Sequence, residues 1–152
     1  MSYFRRLLEA IYAVWPEFDL EARIWTVPGD RMKSGRPHRV PLSDRCIAIL
    51  ESLPRLAACE YVFPGARPGK SLSNMALLEL MRGLRPGFVP HGCRSSFKDW
   101  ATETTDHARD IVEAALAHIV GDKVEAAYRR GDALEKRRAL MVDWATFCGE
   151  KS

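Results

Sequence analysis

Cysteine is scarce: 4 in 152 residues, at Cys46, Cys59, Cys93 and Cys148, with no C-x-x-C pair. That spacing argues against a disulfide scaffold or a cysteine-rich zinc site, and it suits a reducing cytosol. No apolar run approaches the ~20 residues that a membrane-spanning helix needs. The opening, MSYFRRLLEAIYAVW, is charged and amphipathic and has no signal-peptide cleavage pattern. Repeats and low-complexity tracts are missing, as are a Gly-rich phosphate loop, an H-E-x-x-H motif and an evident two-metal carboxylate cluster. A large net charge is missing too, since 23 Lys and Arg stand against 20 Asp and Glu, giving +3. With 47% hydrophobic and 28% charged residues, the chain reads as one small intracellular domain with its own core.

Divided along the chain, the charge says more. The stretch RMKSGRPHR, Arg31 to Arg39, carries four Lys or Arg, one His and no acid. Gly65 to Lys98 carries six bases against one acid, and Asp99 to Glu125 reverses the balance with seven acids against two bases. Any single run reads as solvated surface. Two basic runs brought together would form a phosphate-binding face, because local fields attract polyanions whatever the net charge.

The periodicity predicts an α+β fold, mostly helical with one small antiparallel sheet near the N-terminus. A helix is expected from Arg5 to Val14, ended by Trp15-Pro16. Strands follow at 22–27 and 38–42, joined by a hairpin loop from Pro28 to Pro37. Ser43 is a helix N-cap before residues 44–53, and Ser71 or Ser73 caps a helix that runs to Leu84. Beyond the Arg85-Pro86-Gly87 loop, helices are expected at about 91–105, 108–119, 121–130 and 132–148.

Four features could carry chemistry. His91 and Arg94 lie three apart at a helix start, on one face, where backbone donors and the helix dipole also favour an anion. His118 ends an apolar helix, and Tyr128 follows ten residues later in Glu-Ala-Ala-Tyr-Arg-Arg. Lys33 sits in the hairpin loop. Taken singly, each has an ordinary reading: a cap, a satisfied histidine, a packing tyrosine, a solubilising lysine.

In chain order, however, the set resembles the catalytic domain of the tyrosine recombinases, the phage integrase family, in particular integrases of prophages and integrative islands. The stretches that carry the resemblance are WPEFDLEARIWTVPGDRMKSGRPHRVPLS, YVFPG, VPHGCRSSFKDWATE and VEAALAHIVGDKVEAAYRRGDALEKRRALMVDWATF. The family's first arginine sits in an R-x-x-E motif, which Arg6-Leu7-Leu8-Glu9 matches, with Arg5 as the alternative. The flanking Tyr3-Phe4-Arg5 and Leu7-Leu8 are bulkier than the family's small residues there.

The resemblance implies metal-free and cofactor-free cleavage and rejoining of double-stranded DNA. Tyr128 would be the nucleophile, forming a 3′-phosphotyrosyl bond, with His91 as general base for a phenol whose free pKa is ~10. Arg6 and Arg94 would clamp the non-bridging oxygens. Lys33 would protonate the leaving 5′-oxygen, and His118 would donate to the phosphate or buttress the site. Arg31, Arg36, Arg39 and Lys98 would contact DNA.

The resemblance further implies a tetramer of recombinase subunits on DNA, in the bacterial cytoplasm and at the nucleoid. It makes residues 1–152 a catalytic domain truncated at its N-terminus, without the core-binding and arm-binding domains. Such a chain is expected to keep the catalytic set but to bind DNA weakly and recombine poorly. The alternatives are an inactive prophage remnant that only binds DNA and DNA relaxation of the type IB topoisomerase kind. His91, His107 and His118 as metal ligands match no common zinc spacing. The amphipathic stretch holding Leu134, Leu140, Met141, Trp144 and Phe147 is expected to be core, with docking on a neighbouring subunit as the second possibility.

Overall fold

A computed structural model describes residues 9–87, 90–118 and 132–149. Residues 9–11 are helical, after which the chain extends. The Trp15 N–H donates to the Glu60 carbonyl at 3.1 Å, and the Val62 N–H to the Ala13 carbonyl at 2.9 Å. This pairing opposite Tyr61 ends the helix at Ile11 and not at Val14 as its apolar spacing suggests. A 3-10 turn, Trp15–Glu17, holds Pro16 near its start, where the missing N–H goes unneeded.

Three strands form an antiparallel sheet in chain order: β1 (Phe18–Asp19), β2 (Ile24–Val27) and β3 (His38–Pro41). The architecture is therefore α+β, as the sequence pattern implies. Alternation predicts two strands; β1 escapes it because two residues are too few to show a period. Its Phe18 pairs with Trp25 across the ladder and stacks on it, ring centroids 5.4 Å apart. β2 begins at Ile24, two residues later than its apolar pattern suggests. Residues 20–23 turn: the Ala22 N–H donates to Asp19 Oδ1 at 2.8 Å, and Arg23 adopts a left-handed φ of 57°.

The hairpin between β2 and β3 is compact. It opens with a 3-10 turn, Gly29–Arg31, and folds back so tightly that a Cβ on Gly29 would lie 2.5 Å from the Gly35 carbonyl oxygen. Gly35 itself has φ +68°, a conformation that costs glycine little. The Arg31 guanidinium anchors the hairpin to the helix before it. It donates to the Tyr12 carbonyl at 2.5 Å and the Glu9 carbonyl at 3.4 Å, and pairs with Glu17 at 2.5 Å.

Five helices follow among the described residues. α1 (Asp44–Ser52) is capped by Ser43, whose Oγ accepts from the Cys46 N–H at 3.3 Å. α2 (Asn74–Leu84) is capped by Ser73, not Ser71, with the Ala76 N–H donating at 3.1 Å. α3 (Pro90–Thr104), α4 (Arg109–Ala115) and α5 (Leu134–Gly149) complete the described chain. The helix expected at 121–130 lies outside the described residues. No helix among the described residues is long and apolar enough to cross a membrane.

Among the described residues, two apolar clusters form the core. Ala13, Leu42, Leu50 and Val62 pack under the sheet and α1. Phe97, Trp100, Ala101, Ile111, Val112, Leu116 and Leu140 join α3, α4 and α5, with Met141, Trp144 and Phe147 packed against them. The C-terminal stretch thus packs within its own chain, where each large apolar side chain contributes about 1.5–3 kcal/mol if fully buried.

A buried cation links the two halves. Arg137 on α5 is 1% exposed. It donates to the Asp132 carbonyl at 2.8 Å and the Arg39 carbonyl on β3 at 2.6 Å, and pairs with the Asp132 carboxylate at 3.0 Å. Asp132 also takes two hydrogen bonds at 2.8 Å from Arg39. These bonds hold Arg39 above its ordinary pKa and Asp132 below the usual carboxylate range. Burial pushes Arg137 in the opposite direction, downward.

Candidate active site

The site is built on the end of α4. The sequence predicts a helix to about residue 119, but α4 stops at Ala115 in a two-bond cap. The Ala117 N–H donates to Ala114 O at 3.0 Å, and the His118 N–H reaches back to Glu113 O at 2.9 Å. This is a Schellman motif with the left-handed residue at Ala117, φ 46°. Such a motif brings the side chain of the residue after the left-handed turn onto that of the residue five before it. Here those two are His118 and Glu113.

A left-handed alanine is strained by about 1–2 kcal/mol, part of which glycine relieves. Ala117→Gly is therefore expected to stabilise the fold by about 0.5–1 kcal/mol, read as a higher urea midpoint. An unchanged or lower midpoint would show that the turn carries no such strain.

Glu113 is the centre of the arrangement. Its side chain is 9% exposed, and both oxygens are engaged. Lys98 Nζ on α3 lies 2.8 Å from Oε1, and His118 Nδ1 donates to Oε2. His118 Nε2 in turn accepts from Arg94 Nη2. The same Arg94 nitrogen donates to the Leu116 carbonyl in the capping turn at 3.1 Å. A continuous path thus runs Lys98, Glu113, His118, Arg94. Burial pushes the Glu113 carboxyl up, but the hydrogen bonds from Lys98 and His118 outweigh it and leave it below the ordinary range. Burial also lowers Arg94, while the charges of Glu113 and Glu9 oppose that shift.

The sign of the carboxylate shifts has a consequence for stability. Glu113 and Asp132 titrate below their unfolded values, so each stabilises the fold above the unfolded pKa of about 4. That contribution is lost as pH falls through the folded values. Urea midpoints are expected to be flat from pH 7 to about 5 and to drop below that. The combined Glu113→Gln, Asp132→Asn variant should drop less steeply; an equally steep fall would assign the acid sensitivity elsewhere.

The structure brings some expected site residues together. Arg94 and His118 meet directly. Lys33 is exposed in the hairpin, between Met32 and Ser34. Those two neighbours line a cleft of about 880 Å³ that His118 and Ala117 line from the other side. Arg36 lines the same cleft from the hairpin and is exposed. Arg31, Arg39 and Lys98, expected at the DNA face, each hold a carboxylate within the chain: Glu17, Asp132 and Glu113. His91 lies in the first turn of α3, where its backbone alone is described. Arg5, Arg6 and Tyr128 lie outside the described residues. His107 pairs with Asp143 at 2.7 Å, away from His118. Among the described residues, no group of three or more His, Cys, Asp and Glu could hold a metal ion.

Sequence reasoning missed Glu113. Its signal was a carboxylate five residues before a histidine at a helix end, and it becomes readable only once the cap is known.

The helix-borne arginine, the capped histidine and the adjoining hairpin belong to one α+β domain, whose cleft is lined by Arg36, His118 and Lys136 and also by the carboxylates Asp110, Asp132 and Glu135. Comparison with known proteins supplies the family. Prophage integrase IntA of Escherichia coli strain K12 is 39% identical over 144 residues, 92% of this chain and 35% of that protein. Prophage integrase IntZ of the same strain is 34% identical over 134 residues, 86% of this chain and 33% of that protein. The integrase of Shigella phage Sf6 is 34% identical over 145 residues, 90% of this chain and 37% of that protein. The chain belongs to the phage integrase family, and it spans about a third of the length of these relatives. No family model and no solved structure matches it.

Proposed function

We propose that this chain is the catalytic part of a site-specific DNA recombinase that cuts and rejoins strands through a tyrosyl phosphodiester. The observation that carries the reading is the contact of Arg94 with His118, which lines a cleft together with Met32, Ser34 and Arg36 of the hairpin that carries Lys33. A guanidinium and an imidazole converging beside a cationic loop suit a phosphodiester, which needs its non-bridging oxygens neutralised and its leaving oxygen protonated.

In this reading the Tyr128 Oη attacks phosphorus and the bond to the 5′-oxygen breaks. His91 takes the phenolic proton, and Lys33 Nζ delivers a proton to the departing 5′-oxygen. Arg6 and Arg94 hold the non-bridging oxygens, with His118 as a further donor. Attack of a free 5′-hydroxyl on the phosphotyrosine reverses the step and joins strands. The phosphoester bond energy is conserved in the covalent intermediate, so no nucleotide cofactor is consumed. Double-stranded DNA is the substrate, and a tetramer on DNA is the assembly that exchanges strands. The exposed Arg36 is the hairpin cation best placed for a backbone phosphate.

The test is covalent trapping. The chain is incubated with a pool of nicked suicide duplexes of randomised sequence, and adducts are resolved on denaturing gels. A DNA-linked species that disappears in Tyr128→Phe supports the reading. Absence of any adduct favours a DNA-binding remnant. Relaxation of supercoiled plasmid without exchanged products favours the topoisomerase alternative.

A further inference from the structure

We propose that Glu113 is a positioning residue that sets the proton on His118 and aims its other nitrogen, Nε2, at the place where Arg94 would hold an anion. The inference rests on the recombinase reading for what that anion is, and on the geometry of α4 for the rest.

The residue pair brought together by this kind of helix end is usually apolar. Here it is a carboxylate and an imidazole, and the carboxylate is 9% exposed. Burying a charge is costly unless it is paired and hydrogen-bonded, so packing alone favours an apolar contact at this position. Glu113 is fully paired, and its two partners are not equivalent. Lys98 approaches Oε1 from α3 at 2.8 Å, neutralising the buried charge. His118 approaches Oε2 through Nδ1.

An ionised carboxylate only accepts hydrogen bonds, so Nδ1 must carry a proton. That assignment leaves Nε2 as the nitrogen turned toward Arg94, whose N–H has only a lone pair to meet there. These contacts therefore match the tautomer with its proton on Nδ1 and its lone pair on Nε2. An incoming phosphate oxygen draws the Arg94 donor toward itself. Nε2, released from that donor, takes up a proton from hydronium or a buffer acid, whose conjugate base returns to solvent, and becomes a second donor to the same oxygen. Glu113 stabilises the resulting imidazolium from the far side of the ring.

Without Glu113 the ring is free to rotate or to exchange its tautomer. Its approach to the anion would then be one arrangement among several. Lys98 would also lose the partner that holds it in place.

Two measurements on the full chain test this. Long-range proton–nitrogen correlation of histidine-labelled protein reads the tautomer without DNA. His118 is expected to be Nδ1-protonated in the wild type, and Glu113→Gln is expected to populate the Nε2-protonated form. Trapping on the nicked duplex pool then reads function. Glu113→Gln should slow adduct formation at least about 10-fold, and Glu113→Asp, which keeps the charge, should recover part of that loss. In a His118→Ala background, Glu113→Gln should change the rate by no more than about 2-fold, because the two act as a unit.

An unchanged tautomer in Glu113→Gln overturns the proposal by itself. So does an undiminished rate loss in the His118→Ala background, which would make Glu113 structural. A wild-type chain that forms no Tyr128-dependent adduct overturns the recombinase reading instead, while the tautomer still judges whether Glu113 governs His118.

Discussion

Arg94→Ala is expected to slow formation of the tyrosyl–DNA adduct by about 10²–10³-fold. This is the usual cost of deleting one preorganised donor to a developing oxyanion. Arg94 is preorganised here by the capping turn of α4: the Leu116 carbonyl and His118 Nε2 hold one guanidinium nitrogen, on a helix packed against the aromatic core. Arg94→Lys should recover little of the loss. Lysine keeps a charge but cannot present two parallel donors to two phosphate oxygens. The fold should survive either change, since Arg94 lies outside both apolar clusters. The readout is the single-turnover adduct rate beside the urea midpoint. A loss of less than 5-fold, with the midpoint unmoved, would remove Arg94 from its assigned role.

The second large effect is on stability. Arg137→Ala is expected to destabilise the chain by about 3 kcal/mol or more. Two costs add: the space left by a large buried side chain, and the carbonyls of Arg39 and Asp132 stripped of their donor. For a domain of this size that is a fall of about 6–12 °C in melting temperature. Arg137→Met separates the two costs, filling much of the volume without restoring the hydrogen bonds. It should recover about half the loss. The change should also loosen the hairpin, because Arg137 and Asp132 tie β3 to the start of α5. A melting temperature within 2 °C of wild type for Arg137→Ala would show that this linkage contributes little.

Local signals in the sequence carried the fold class and most of the elements. Ser43 and Ser73 sit before amphipathic runs, and both are caps because a serine hydroxyl satisfies an amide that the first turn leaves open. The hairpin declares itself through glycine and proline between β-branched stretches. What stayed hidden depends on tertiary context. β1 exists because Trp25 offers Phe18 a stacking partner, not because two residues form a strand alone. Val14 leaves the helix because Tyr61 pairs with it. Arg137, on a helix rich in charge, reads as surface until β3 supplies a carbonyl to reach.

The site divides in the same way. Arg94, His118 and Lys33 are proposed from their order and spacing, which carry the resemblance to the family. Glu113 was not, because its meaning comes from a helix end that falls earlier than the apolar pattern implies. Arg31 and Arg39 look alike in the basic stretch and each holds a carboxylate, yet Arg31 is half-buried while Arg39, like Arg36, is exposed. Counting charge along a chain cannot tell these apart, because the partners lie far away in sequence.

The measurement that bears most directly on the account is covalent trapping by the wild-type chain and by Tyr128→Phe on the same nicked duplex pool. The account predicts a denaturation-resistant protein–DNA species with the wild type and none with Tyr128→Phe. An adduct of equal yield in both proteins would contradict it.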